Sequence, residues 1–162
     1  MIYLDYAAST PVNEEVLNTY NKLTKEYYAN PNSNHKLGKK SKELIDKYTK
    51  DIALKLGVLP EELIYTSGAT ESNNLAIKGV GERYKSFGKH ILISALEHNS
   101  IVASAVKMQS LGFEVEVIPV RNDGLIDIES LKKMIRKDTI LVSVCSVDSE
   151  IGLVQPISKI KE

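Results

Sequence analysis

Residues 65–74, "YTSGATESNN", place one glycine and a cluster of small hydroxyl and amide side chains between an apolar run, "ELIY", and an amphipathic one, "LAIKGVGERY". Two chemistries suit such a junction. Backbone N–H groups at a helix N-terminus, the helix dipole and the Thr70 hydroxyl can converge on an anion, with Gly68 letting the backbone come close. The same residues more commonly form an ordinary N-cap, with Glu71 complementing the dipole. The spacing matches neither the Walker loop nor the glycine-rich dinucleotide turn, so the anion would be a single phosphate rather than a nucleotide chain.

A second candidate is His98, in "SALEHNS", directly after one apolar run and before a helical one. An imidazole there can stack on a planar ligand or shuttle a proton, since its charge changes near neutrality, or it can simply cap a helix. In "VDSEIGLVQP", Asp148, Ser149 and Glu150 follow a near-continuous apolar run, where they can hydrogen-bond a ligand or turn the chain. His35, in the turn-rich "NPNSNHKLG", reads as structural, and His90 has no assigned role. Three histidines without acidic or cysteine companions at ligand spacing predict no metal site. The single cysteine, Cys145, cannot form an internal disulfide and reads as a small hydrophobe in a strand.

The elements that must carry these residues alternate. Helices are expected from Pro11 to Tyr27, over "KLGKKSKELIDKYTKDIALKLG" with Gly57 as its stop, and over 70–86, 99–111 and 127–136. Strands are expected at "ELIY", "HILIS", "FEVEVIP" and "TILVSVCSV", and a last helical start at "PISKIKE". Strand and helix in alternation predict an α/β fold with a mostly parallel sheet covered by helices on both faces. Ligands then gather at the carboxyl ends of strands, near Thr66–Thr70, Ala95–Asn99, Pro119–Asp123 and Ser146–Glu150. With 162 residues, 43% hydrophobic and 26% charged, one core is affordable. Lys+Arg and Asp+Glu both number 21, which argues against a nucleic-acid partner. No apolar run reaches the roughly 18 residues of a membrane span, so a cytoplasmic protein is expected. "ISKIKE" stops in the first turns of a helix, for which truncation is the leading explanation.

Together, "YLDYAASTP", "NPNSNHKLG", "YTSGATESNNLAIKG", "SALEHNSI", "GFEVEVIPV", "NDGLIDIESL", "TILVSV" and "EIGLVQPI" resemble, in order, the N-terminal part of a cysteine desulfurase of the NifS/IscS type, within the class V aminotransferases. The resemblance implies the large domain of a type I, aspartate aminotransferase-like, pyridoxal-phosphate transferase, present in part: residues 1–30 as an arm and first helix, 31–162 as the start of the cofactor domain. It implies an enzyme that takes sulfur from L-cysteine, leaving alanine and a persulfide for a sulfur-acceptor protein in iron–sulfur or thio-cofactor assembly. Carried over by position, Ala69 and Thr70 would bind the phosphate of pyridoxal 5′-phosphate, and His98 would stack on its ring and help move protons. Ser149 would face the phenolic oxygen, while Ala7, Ala8 and Asn30 would line the substrate pocket. The phosphate reading of residues 65–74 thereby gains ground over the simple cap.

The family usually reads "VNNEIG" where this chain has "VDSEIG", so a shorter serine replaces the asparagine that contacts the cofactor. The family's Schiff-base lysine, pyridinium-pairing aspartate and persulfide cysteine lie in later segments, none of which occurs within the 162 residues. The chain alone is therefore expected to be inactive. Exposed apolar surface, and with it a homodimer or other self-association, is also expected. Two alternatives stand beside this reading: a non-catalytic, partner-binding remnant of the same fold, and another class V enzyme such as a selenocysteine lyase.

Overall fold

A computed structural model describes residues 1–161, which divide into two compact units, 1–65 and 66–161. In the first unit, α1 (Glu14–Glu26) begins later than the proline at position 11 suggests. The Asn13 side chain accepts the N–H groups of Glu15 and Val16 at 2.9 and 3.2 Å, and this cap sets the start. Helix α2 (Lys36–Leu56) is capped by His35, whose Nδ1 accepts the Gly38 N–H at 3.2 Å, so His35 is structural as expected. Gly38 lies so close to the carbonyl oxygens of Asn30 and Ser33 that a β-carbon would collide with both. The helix stops at Gly57, with φ at 69°, a left-handed conformation that costs glycine little.

The second unit is built on a three-stranded parallel sheet. Its elements run α3 (Ala69–Tyr84), β1 (His90–Ser94), α4 (Asn99–Ser110), β2 (Glu114–Ile118), α5 (Ile128–Met134), β3 (Thr139–Ser143) and α6 (Ile157–Lys161). Strand β1 is central, in the order β2-β1-β3. All five of its residues are buried, so both of its faces must be covered and the run is apolar without alternation. Ile91 and Ile93 join Ile77 of α3, Ile101, Ala105 and Met108 of α4, and Phe113. Leu92 points the other way, to Ile118, Ile126 and Leu131, with Met134 of α5 and Ile160 of α6 packed alongside. Helices thus cover both faces, as the alternating pattern predicts.

His90 opens β1 and is completely buried. Its Nδ1 lies 2.7 Å from the Thr139 hydroxyl and its Nε2 2.9 Å from a Glu116 carboxylate oxygen, so both polar ends are satisfied across neighbouring strands. Beside it, Arg136 grips Glu114 through two bonds of 3.0 and 2.7 Å and holds that carboxyl below its ordinary range.

Two sequence expectations need correction. "ELIY" is not a strand: a 3-10 turn, Pro60–Glu62, leads into extended backbone at Leu63 that has no ladder partner among the described residues. Ile64 and Tyr65 stay 68% and 59% exposed, because an extended run becomes a strand only when a neighbour takes its backbone groups. "TILVSVCSV" is likewise too long, since pairing ends at Ser143. Cys145 therefore lies beyond the strand, half-buried, its thiol directed at the Val147 carbonyl at 3.1 Å. Exposed apolar residues are plentiful, including Val16, Leu17 and Tyr20 on α1. Among the described residues no helix is long and apolar enough to cross a membrane.

Leu92 tests the two-faced core. Leu92→Ala should cost about 2–5 kcal/mol in urea unfolding followed by circular dichroism. The exposed Val16→Ala should change stability by no more than about 0.5 kcal/mol; equal effects would show that the sheet core does not carry the fold.

Candidate functional site

Helix α3 starts at Gly68, which has no side chain to cap it. Its first helical hydrogen bond is Ser72 N–H to the Gly68 carbonyl, at 3.1 Å. The amides of Ala69, Thr70 and Glu71 precede that bond and have no acceptor among the described residues, and the Thr70 hydroxyl likewise has no partner. Glu71 does not serve these amides. Its carboxylate turns back to accept the Ser67 N–H at 2.6 Å and the Ser67 hydroxyl at 2.7 Å. Thr66 adds a 2.6 Å hydroxyl contact to Ser72. The result is a braced loop and an uncapped helix start: a cluster of donors that fits one phosphate group.

His98 caps α4 and is exposed. Its Nδ1 accepts the Ser100 N–H at 3.1 Å and lies 2.9 Å from the Ser100 hydroxyl, while Nε2 has no partner among the described residues. The Asn73 side-chain N–H donates to that hydroxyl at 2.8 Å, which ties the first turns of α3 and α4 together. Ala69, Thr70 and His98 are therefore carried by adjoining helix starts. Asn73 and Ser100 escaped notice in the sequence. The available signal was an asparagine pair inside a helix, where asparagine is a poor helix former.

Ser149 sits in a hairpin after β3, at the same carboxyl edge of the sheet as the segment carrying His98. The hairpin closes through a Val147–Val154 bridge and an Asp148 N–H to Leu153 carbonyl bond of 3.0 Å. Asp148 shapes the tip, its Oδ1 accepting the Glu150 and Ile151 N–H groups at 2.9 and 2.7 Å. Ser149 is exposed there. Buried Gln155 anchors the hairpin's base: it accepts the Ile126 N–H at 2.9 Å and donates to the Gly124 carbonyl at 3.0 Å.

The remaining sequence candidates belong to the first unit. Ala7 and Ala8 lie in an exposed turn closed by the Ala8 N–H to Asp5 carbonyl bond of 3.2 Å, and the Tyr3 hydroxyl donates to the carbonyls of Asp5 and Ser9. Asn30 is exposed. Its side chain accepts the Asn32 N–H at 2.9 Å and its carbonyl the Ser33 N–H at 3.0 Å, a turn that presents it before α2.

Comparison with known proteins gives this geometry a lineage. The family described as "Aminotransferase class-V" matches residues 2–162. The chain belongs to the class V aminotransferase family. These are pyridoxal-phosphate-dependent enzymes. The chain is 41% identical to a cysteine desulfurase IscS of Dictyoglomus turgidum over 99% of its own length and 41% of that protein's. Among solved structures it superposes on a NifS-like protein with a TM-score of 0.94 at 33% identity, covering 99% of this chain and 44% of that one. A structure of SspA in complex with cysteine gives 0.89 at 37% identity, covering 98% and 46%. The chain thus spans about two fifths of the length of the IscS relative, and its α/β architecture is that of the NifS-like class V structures.

The Ser67 hydroxyl first, and its N–H second, hold the Glu71 carboxyl below the ordinary glutamate range. With the folded value depressed, the bracing is complete above the ordinary range and is lost as pH falls through the folded value. An acid titration of the Ser67 amide resonance should show that loss below glutamate's ordinary range, and Glu71→Gln should abolish the step. A Ser67 amide that titrates identically in both proteins would disprove the bracing.

Proposed function

We propose that this chain is the N-terminal part of a pyridoxal-phosphate-dependent cysteine desulfurase, with residues 1–30 an arm and first helix and 31–162 the start of the cofactor domain. The uncapped start of α3 carries the reading: three amides and the Thr70 hydroxyl lack acceptors beside a second helix start that presents His98. Membership in the class V family supports the cofactor, and the cysteine bound to the related SspA supports L-cysteine as substrate.

In this reading Ala69 and Thr70 hold the phosphate through backbone N–H and hydroxyl donors, with the α3 dipole adding attraction. When bound, pyridoxal phosphate supplies the electron sink that lets sulfur leave cysteine as the organic product becomes alanine. His98 stacks on the planar ring and offers Nε2 for proton movement. Ser149 faces the phenolic oxygen from its hairpin. Ala7, Ala8 and Asn30 fall to the amino-acid substrate. Sulfur passes to an acceptor protein in the cytoplasm.

Titration with pyridoxal phosphate and with pyridoxal tests the phosphate reading. The phosphorylated form should bind roughly tenfold or more tightly, and Thr70→Val should erase a good part of that difference, a hydrogen bond to a charged group being worth about 1.5–3 kcal/mol. Equal affinity for the two compounds would defeat it. Incubated alone with L-cysteine and the cofactor, the chain should release no alanine, because the lysine that captures the substrate in this family is not among its residues; alanine formation would sink that part of the proposal.

The apolar side chains exposed on α1 also favour self-association, most simply a homodimer. Gel filtration over a hundredfold dilution series should show a concentration-dependent size, and a dilution-stable monomer would count against it.

A further inference from the structure

We infer, building on the reading of His98 above, that the side chains of Asn73 and Ser100 are positioning groups which, beside the Ser100 backbone N–H, hold the proton of His98 on Nε2. A backbone amide can only donate. Because the Ser100 N–H is directed at Nδ1 from 3.1 Å, Nδ1 must be the bare nitrogen and the proton must sit on Nε2. The Ser100 oxygen lies 2.9 Å from the same Nδ1. Facing a lone pair, that hydroxyl must also donate, which leaves only its own lone pairs for other partners. Asn73 supplies the matching donor, its side-chain nitrogen 2.8 Å from the Ser100 oxygen. The opposite amide orientation would set two acceptors against each other. The chain of donors runs one way: Asn73 N–H to Ser100 oxygen, Ser100 O–H to His98 Nδ1, His98 Nε2–H outward.

Ser100 is only 6% exposed, so water competes poorly for its hydroxyl. The relay also crosses from α3 to α4, linking residues 27 apart in sequence. The helix that offers the phosphate donors thereby sets the proton on the residue that faces the ring. Helix capping alone does not need this relay, because the Ser100 N–H to Nδ1 bond provides the cap without Asn73. Asn73→Asp changes one side-chain atom and reverses the sense of the relay: a carboxylate accepts the Ser100 O–H, a hydroxyl lone pair turns toward Nδ1, and of the two donors that keep Nδ1 bare only the Ser100 backbone N–H is left, so the preference for Nε2–H weakens.

Long-range proton–nitrogen NMR of the uniformly labelled 162-residue chain, at roughly pH 8.5 and thus well above histidine's ordinary range, reports the tautomer directly. His98→Gln assigns the signals, with His35 and His90 as internal controls. The expected result is a single Nε2–H tautomer at His98. Asn73→Asp should move the tautomer ratio about fivefold or more toward Nδ1–H, Ser100→Ala should move it less, and Ser100→Thr should restore the parent pattern. A mixed tautomer in the parent chain overturns the relay without need of any variant, as does a His98 pattern unchanged in both Asn73→Asp and Ser100→Ala while circular dichroism shows them folded. No cofactor is involved in this measurement. A failure of the relay is therefore distinguishable from a failure to bind pyridoxal phosphate.

Discussion

The burial of β1 on both faces is the constraint on which the rest of the second unit depends. A strand with Ile91 and Ile93 on one side and Leu92 on the other cannot be left half-covered. It requires α3 and α4 above and α5 with α6 below. Because its neighbours run parallel to it, every connection that leaves the sheet at the carboxyl edge does so beside the others. The segment bearing His98 and the hairpin bearing Ser149 share an edge for that reason. The opposite edge is held by polar contacts instead: His90, clasped by Thr139 and Glu116, ties the buried start of β1 to both neighbours where its pairing with β3 skips Ile140.

An uncapped helix start is usually a defect, since its free amides must be hydrated or paired. Here Ser67 and Glu71, and Thr66 and Ser72, bond one another, while the amides of Ala69, Thr70 and Glu71 at the α3 start have no acceptor among the described residues. Glu71 shows the selectivity: the acidic group that could have neutralised those donors is held by Ser67. An anion arriving at α3 would thus complete a hydrogen-bond pattern that the protein leaves open.

How much of this was legible in the sequence depended on how far apart the deciding residues lie. The caps at Asn13, His35 and Gly57 act within a few residues, so the helices were readable, apart from the small offset that Asn13 imposes on α1. The apolar run of β1 was readable because burial on both faces leaves its own signature. "ELIY" misled because strand character is a property of a pair, and no pattern within four residues shows whether a neighbour is present. The roles of His90, Asn73 and Gln155 were beyond reach, since their partners lie 26 to 49 residues away in sequence. Side chains of the same types on a surface would look identical. The turn-rich junctions were recognised as candidates, but the choice between cap and anion cradle turned on whether the amides found partners, which only coordinates display.

The substitutions at 148 and 149 separate into two physical effects. Aspartate and asparagine present the same Oδ1 three bonds from the α-carbon, and it is this atom that receives the Glu150 and Ile151 amides. Asp148 therefore preserves the turn, while Gln155 holds the hairpin's base to Gly124 and Ile126. At 149 the serine side chain is exposed and makes no hydrogen bond among the described residues, so the scaffold places no demand on it. The change to serine thus leaves the fold untouched and acts only on what meets the hairpin tip. In the proposed role that means a shorter hydroxyl where an amide would donate, so any loss would fall on how the ring is held while the phosphate grip at α3 stays intact.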